Sequence, residues 1–123
     1  MKLTNKQTDQ VLSAIARNGG ISYHVSSRSQ LVSGYAVSPY PMAERIVTNR
    51  TLTAADLAAY LADHADLLSE PNHCLGVWTD NGLTYLDISI IVADAGTARR
   101  VALDHDQLAY FHLDTATTTY LSI

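Results

Sequence analysis

Leu75-Gly76-Val77-Trp78-Thr79-Asp80-Asn81-Gly82-Leu83-Thr84-Tyr85-Leu86-Asp87-Ile88-Ser89 decides the fold. Asn-Gly between two apolar, β-prone runs is the strongest short-range mark of a two-residue hairpin, because both residues tolerate the left-handed backbone that the turn needs. Closing the turn at Asn81-Gly82 pairs Val77 with Leu86 and Leu75 with Ile88 on one face. The other face then carries Trp78 across from Tyr85, Gly76 across from Asp87 and Cys74 across from Ser89. A looser Asp80-Asn81-Gly82 loop would set Leu75 against Asp87, which the apolar pattern disfavours.

Upstream, Thr4 reads as the N-cap of a helix ending at Asn18, with Gly19 or Gly20 as its left-handed stop. Ile21 to Ser27 alternates apolar and polar residues, the period of a half-buried strand. After a turn at Arg28-Ser29-Gln30, a second strand is predicted over Leu31 to Val37, with Gly34 as a bulge position. Ser38-Pro39-Tyr40-Pro41 breaks the ladder, since proline has no N–H to donate. Arg45 to Thr48 then resumes as a short strand at an edge. Thr53 caps a helix from Ala54 to about Leu68, with Asp56 at the capping-box position, and Pro71 stops it.

Downstream of the hairpin, Asp94 caps a helix running to about Asp104, with Ala98, Val101 and Ala102 facing inward. Strands Leu108 to Leu113 and Thr117 to Leu121 finish the chain. Pairs of adjacent strands separated by helices predict a single α+β domain over residues 1–123. Its antiparallel sheet is built from hairpins, with about three helices packed on one side.

The totals agree with one globular unit. A chain of 123 residues is long enough to bury a core, and 47% hydrophobic content argues against disorder. Charged residues make up only 16%, below the usual quarter, which favours protein partners and leaves room for a homodimer. Cys74 is the sole cysteine, so neither an internal disulfide nor a cysteine metal cluster can form. The N-terminal MKLTNKQTDQ lacks the apolar segment of an export signal, and no apolar run approaches membrane-spanning length, so a cytoplasmic protein is expected.

Charge is divided unevenly along the chain. Residues 1–50 hold six cations against Asp9 and Glu44, whereas residues 51–98 hold seven acids and no Lys or Arg. Asp56, Asp63 and Glu70 fall almost in line on the second helix, with Asp66 one turn away. The bland reading is a solvated helix face. The functional one is a row of negative charge that steers toward a basic groove and repels nucleic acid.

The hairpin's second face is another candidate, because Trp78 and Tyr85 join large aromatic area to polar tips, as interaction hot spots do. Their bland reading is cover for a helix or the far side of the core. Asp87, a carboxylate in mid-strand, must be exposed, paired or shifted in pKa, and pairing with an arginine or a backbone cap is expected. Tyr35, Pro39, Tyr40 and Pro41 form an aromatic-proline knot, read either as loop packing or as a binding loop. The five histidines show no metal-ligand spacing, and Cys74 beside His73 is no dyad, since strand neighbours point to opposite faces. No catalytic residue, metal or other cofactor is expected.

From Gly34 onward the chain resembles small uncharacterised proteins, and embedded accessory domains, carried by phages and mobile elements of Gram-positive bacteria. Gly34-Tyr35-Ala36-Val37-Ser38 and Leu67-Leu68-Ser69 contribute to the likeness. Leu75-Gly76-Val77-Trp78 with Tyr85-Leu86-Asp87-Ile88-Ser89 carries most of it, and His105-Asp106-Gln107-Leu108-Ala109-Tyr110-Phe111 adds to it. The likeness covers about two thirds of the chain. It implies a setting in which small acidic proteins block host defence by binding its components.

The expected function is therefore a non-enzymatic, anti-CRISPR-type inhibitor acting in the host cytoplasm. It would occupy the basic nucleic-acid-binding surface of a host defence protein, such as a CRISPR effector subunit, without touching nucleic acid or membrane itself. Asp56, Asp63, Asp66 and Glu70 would steer, and Trp78, Tyr85, Asp87, Tyr35 and Tyr40 would anchor. Alternatives are a small enzyme or ligand-binding domain using Asp87 and a histidine, and an oligomeric structural protein.

Overall fold

Apolar alternation and turn chemistry produce an eight-stranded antiparallel sheet with four helices. A computed structural model describes residues 1–121. In chain order the elements are α1 (Asn5–Asn18), β1 (Gly20–His24), β2 (Ser29–Gln30), β3 (Tyr35–Val37), β4 (Arg45–Thr48), α2 (Ala54–Asp63), α3 (Ala65–Leu68), β5 (His73–Asp80), β6 (Leu83–Val92), α4 (Ala95–Asp104), β7 (Ala109–His112) and β8 (Thr117–Tyr120). The sheet runs β2-β1-β5-β6-β3-β7-β8, and β4 also pairs with β6. Among the described residues no helix is long and apolar enough to cross a membrane.

The central hairpin has the register its sequence predicts: Leu75 pairs with Ile88, Val77 with Leu86, Trp78 with Tyr85, Gly76 with Asp87 and Cys74 with Ser89. Asn81 (φ 50°) and Gly82 (φ 79°) are both left-handed, as the tight turn requires. Capping follows the sequence as well. Thr4 with Gln7, and Thr53 with Asp56, close reciprocal capping boxes, and Asp94 accepts from the Thr97 N–H at 2.8 Å. Such caps satisfy N–H groups that a helix start otherwise leaves bare.

Two predicted elements break. The strand expected over Leu31 to Val37 is split, because β2 stops at Gln30 and β3 begins only at Tyr35. Leu31 still donates to the Ser22 carbonyl at 2.8 Å, and then Gly34, at φ 90°, redirects the chain. The helix expected over Ala54 to Leu68 is interrupted at His64, whose φ of −121° leaves the helical range, so that α3 is a separate turn burying Leu68.

The helices share one side of the sheet. Leu75, Val77, Leu86 and Ile88 form the main core with Val11 and Ala14 of α1, Leu57, Tyr60 and Leu61 of α2, and Leu68 of α3. Val37, Tyr35, Val92 and Tyr110 form a second cluster with Ala98 and Ala102 of α4. Cross-strand register puts both clusters on the same face, since Val37 pairs with Ile90 and Tyr35 with Val92 and His112.

Chain reach shows that this sheet is curled. Gln30 lies level with Tyr23, Leu75 and Ile88, and Tyr35 lies level with Val92, four strand positions away in the sheet order. In a flat sheet those points would be about 23 Å apart, from ~4.8 Å per strand and ~3.3 Å per residue. Five residue steps span at most about 18 Å. The sheet closes the difference by curving toward its helix-free side. Accordingly Cys74, Ser89 and Ala36, all on that side, are buried with no helix above them.

Beside β6, the partner strand is interrupted. β3 pairs with Ile90 to Val92 and β4 with Leu83 to Leu86, while the Ser38–Glu44 excursion leaves Asp87 to Ser89 between them. Ser38 Oγ donates to the Ile88 carbonyl at 3.2 Å, which fills part of the gap. Tyr60 holds the excursion down from α2, its hydroxyl donating to the Ala43 carbonyl at 2.8 Å.

Candidate functional site

The helix-free face collects the hairpin residues singled out by the sequence. One row runs Gly20, Trp78, Tyr85, Ile46 across β1, β5, β6 and β4. The next row runs Ser22, Gly76, Asp87, and Glu44 continues it just ahead of β4. Trp78 and Tyr85 stack face to face, with centroids 4.0 Å apart and planes 7° from parallel. Trp78 is 43% exposed and Ile46 45%, so this end of the curled face is open to solvent. The helices occupy the other side of the sheet, so of the two bland readings only cover for the far side of the core is left to this pair.

Asp87 departs from expectation. Neither an arginine nor a backbone cap pairs with it. Instead Ser89 Oγ donates to its Oδ1 at 3.2 Å. The carboxylate leans over Gly76, where a β-carbon would collide with it. Protein surrounds Asp87 on most sides, although part of its surface still meets water. Burial pushes its carboxyl up to about 6, and the Glu44 charge adds to the rise, while the Ser89 hydroxyl and the Trp78 indole pull it down. Among the described residues the arginine ion pairs are Arg45–Asp63 and Arg50–Asp56, His112 lies 3.3 Å from Asp114, and none of these reaches Asp87.

The acidic helix is partly neutralised by the basic half of the chain. Arg50 grips both oxygens of Asp56 at 2.6 and 2.8 Å, and Thr53 donates to the same carboxylate, holding its pKa well below the carboxylate range. Arg45 reaches Asp63 at 2.7 Å and lies over the Tyr60 ring. Asp66 and Glu70 are exposed beyond the helix break. Exposed pairs of this kind, screened by water, contribute little to stability. Their larger effect is to shorten the free negative row to Asp66 and Glu70.

The aromatic-proline knot is occupied internally. Tyr35 stacks on His112 at 4.3 Å and meets Tyr110 edge-on, inside the second cluster. The Tyr40 hydroxyl bonds His73 Nε2 at 2.7 Å, and its ring packs on the main core. Because Nδ1 of His73 donates to the Pro71 carbonyl at 2.8 Å, Nε2 is the acceptor for Tyr40. His73 and Cys74 indeed point to opposite faces. Burial pushes the Cys74 thiol up to about 12, with the Asp87 charge adding to it.

No histidine is among the groups that act on Asp87. A groove of about 580 Å³ lies elsewhere, between α1 and the hairpin turn, lined by Leu12, Ile15, Arg50, Leu52 and Leu83. The sequence reading missed Glu44, Gly20 and Ser22 as parts of the site. Only the registers of β4 and β1 bring them to it, and those registers are set far from either strand in sequence. Comparison with family models, with curated proteins and with solved structures finds no match for the chain.

Proposed function

We propose that the protein works by stoichiometric binding of a protein partner through the helix-free face of its sheet, and that it performs no catalysis. The observation that supports this is the stacked Trp78–Tyr85 pair, with Trp78 nearly half open to solvent on a curved face without helices. Large aromatics in such a position are the residue types that dominate interface energetics. The partner surface is basic: Asp87 and Glu44 lie on this face, Asp80 at its end, and the chain carries a net charge of −4. Asp66 and Glu70 add long-range steering. Phage-borne inhibition of a host defence effector is the biological form of this reading, and it rests on the motif likeness in residues 34–111.

The test is a tagged pull-down from bacterial host lysate, washed at low and high salt. Wild type is compared with Trp78→Ala and with an Asp66/Glu70 charge reversal. A stoichiometric partner lost with Trp78→Ala, and released more readily by salt after charge reversal, is the expected result. Capture indifferent to both variants and to salt would sink the proposal.

A further inference from the structure

Beside the aromatic stack, the strand register leaves one position without a side chain, hereafter the slot. Trp78 has two cross-strand neighbours. Tyr85 covers one indole face, whereas Gly20, on the other side, has no side chain to cover the second. Gly20 is sterically fixed, since a β-carbon there would lie 2.6 Å from the Val77 carbonyl oxygen. Two residues along β5, the space a side chain at Gly76 would need is filled by the Asp87 carboxylate. Ser22 sits opposite Gly76 and adds a hydroxyl at the far wall. The slot thus has an aromatic wall, a floor at Gly20, and the Asp87 carboxylate, lying over Gly76, at its inner end.

A carboxylate enclosed by protein without a counter-ion is a costly arrangement. The chain supplies eight Lys and Arg, and two of its arginines are spent on Asp56 and Asp63 of α2, not here. A planar cation solves both halves of the problem, stacking on the indole while its N–H groups meet the carboxylate. A guanidinium has that shape, whereas an ammonium is a hydrated point charge that gains less from a flat slot. A guanine base also offers paired N–H donors and a stacking face, but its phosphate would approach Glu44 and an acidic protein. Charge therefore favours arginine.

We propose that the slot formed by Gly20, Ser22, Gly76, Trp78 and Asp87 receives the guanidinium of an arginine side chain presented by a partner protein. This rests on the binding reading above and names the group on the partner that it recognises. The occupied slot holds one bidentate ion pair with Asp87, and Glu44 attracts the cation toward it.

The full chain, labelled with ¹⁵N, is titrated with Nα-acetyl-arginine amide while the Trp78 indole N–H resonance is followed. Parallel titrations use the citrulline analogue, which is isosteric and uncharged, the lysine analogue, and guanosine monophosphate. The expected result is a saturable shift with arginine and a response at least about tenfold weaker with citrulline and with lysine. Asp87→Asn should lose the arginine response by a similar factor while keeping a folded spectrum, and Trp78→Leu, followed through the backbone amides of Gly20 and Gly76, should lose affinity for the probe. An equal response to citrulline, retention in Asp87→Asn, or preference for the nucleotide would each overturn the slot. If arginine fails to bind yet a partner is still lost with Trp78→Ala in the pull-down, the slot is wrong and the binding face stands. If arginine binds and no partner is captured, the binding face as a functional surface is what fails.

Discussion

Replacing Asp87 by Asn should stabilise the protein, and by an amount that depends on pH. The folded-state carboxyl titrates at about 6 against an ordinary value of 3.8. Below the ordinary value the group is protonated in both folded and unfolded chains and adds nothing to the pH dependence. Between the two values the folded state holds a proton that the unfolded state has released, so the wild type loses stability as pH rises. Above about 6 the loss levels off, at about 3 kcal/mol for a rise of this size.

Asn removes the charge and keeps an oxygen for the Ser89 hydroxyl. Its amide, however, replaces an acceptor that the Trp78 indole uses, which returns roughly 1 kcal/mol. A net gain of about 1–2 kcal/mol above pH 7 is therefore expected, shrinking toward zero or reversing near pH 4. The groups facing Asp87 are Glu44 from the excursion before β4, Ser89 and Trp78 from the hairpin, and, more distantly, Cys74 of β5 and Tyr60 of α2, whose ionisations it disfavours. None supplies a cation to offset the loss. Urea unfolding of both proteins at several pH values, with Trp78 fluorescence as the probe, gives the difference directly. A difference that stays flat across pH, or that favours the wild type at high pH, would refute the reasoning.

Tyr23 and Cys74 offer separate checks. The Tyr23 hydroxyl is buried without a hydrogen-bond partner, so Tyr23→Phe should be neutral or stabilising by up to about 1 kcal/mol in thermal unfolding. A loss of more than that would mean the hydroxyl has a partner in solution. Cys74 is fully buried with its thiol raised to about 12, so the native protein should ignore a thiol-specific disulfide reagent at neutral pH and react only once denatured. Rapid labelling of the native chain would contradict the closed, curled face around it.

What was legible in the sequence was what neighbouring residues decide. Asn81-Gly82 specifies its own turn, and alternation on either side then sets every pair of the hairpin. Thr4, Thr53 and Asp94 cap because the groups they bond lie three residues away. The failures begin where distant segments meet. Leu31 to Gly34 looks strand-like locally, yet the chain must use it to cross from β2 to β3, and reach overrides propensity. Asp56 and Asp63 looked like a free acidic row because Arg50 and Arg45 reach them from the segment ahead of the helix. Asp87 looked like the partner of an arginine, and only the fold shows that, among the described residues, none forms an ion pair with it. Glu44 enters the site solely through the register of β4 on β6.

The three-residue strand β3 is an isthmus. Among the described strands it alone pairs with both β6 and β7, and α4 packs in a cluster separate from the main core. The stretch from α4 through β8 is therefore expected to open as a unit, joined to the rest by this narrow ladder and by the packing of α4 on Val92 at the end of β6. Amide protons of β7 and β8 should exchange with solvent deuterium through that partial opening, well before those of β5 and β6, whose release requires global unfolding. On that expectation the aromatic stack and the carboxylate beside it stand on the strands whose amides exchange last.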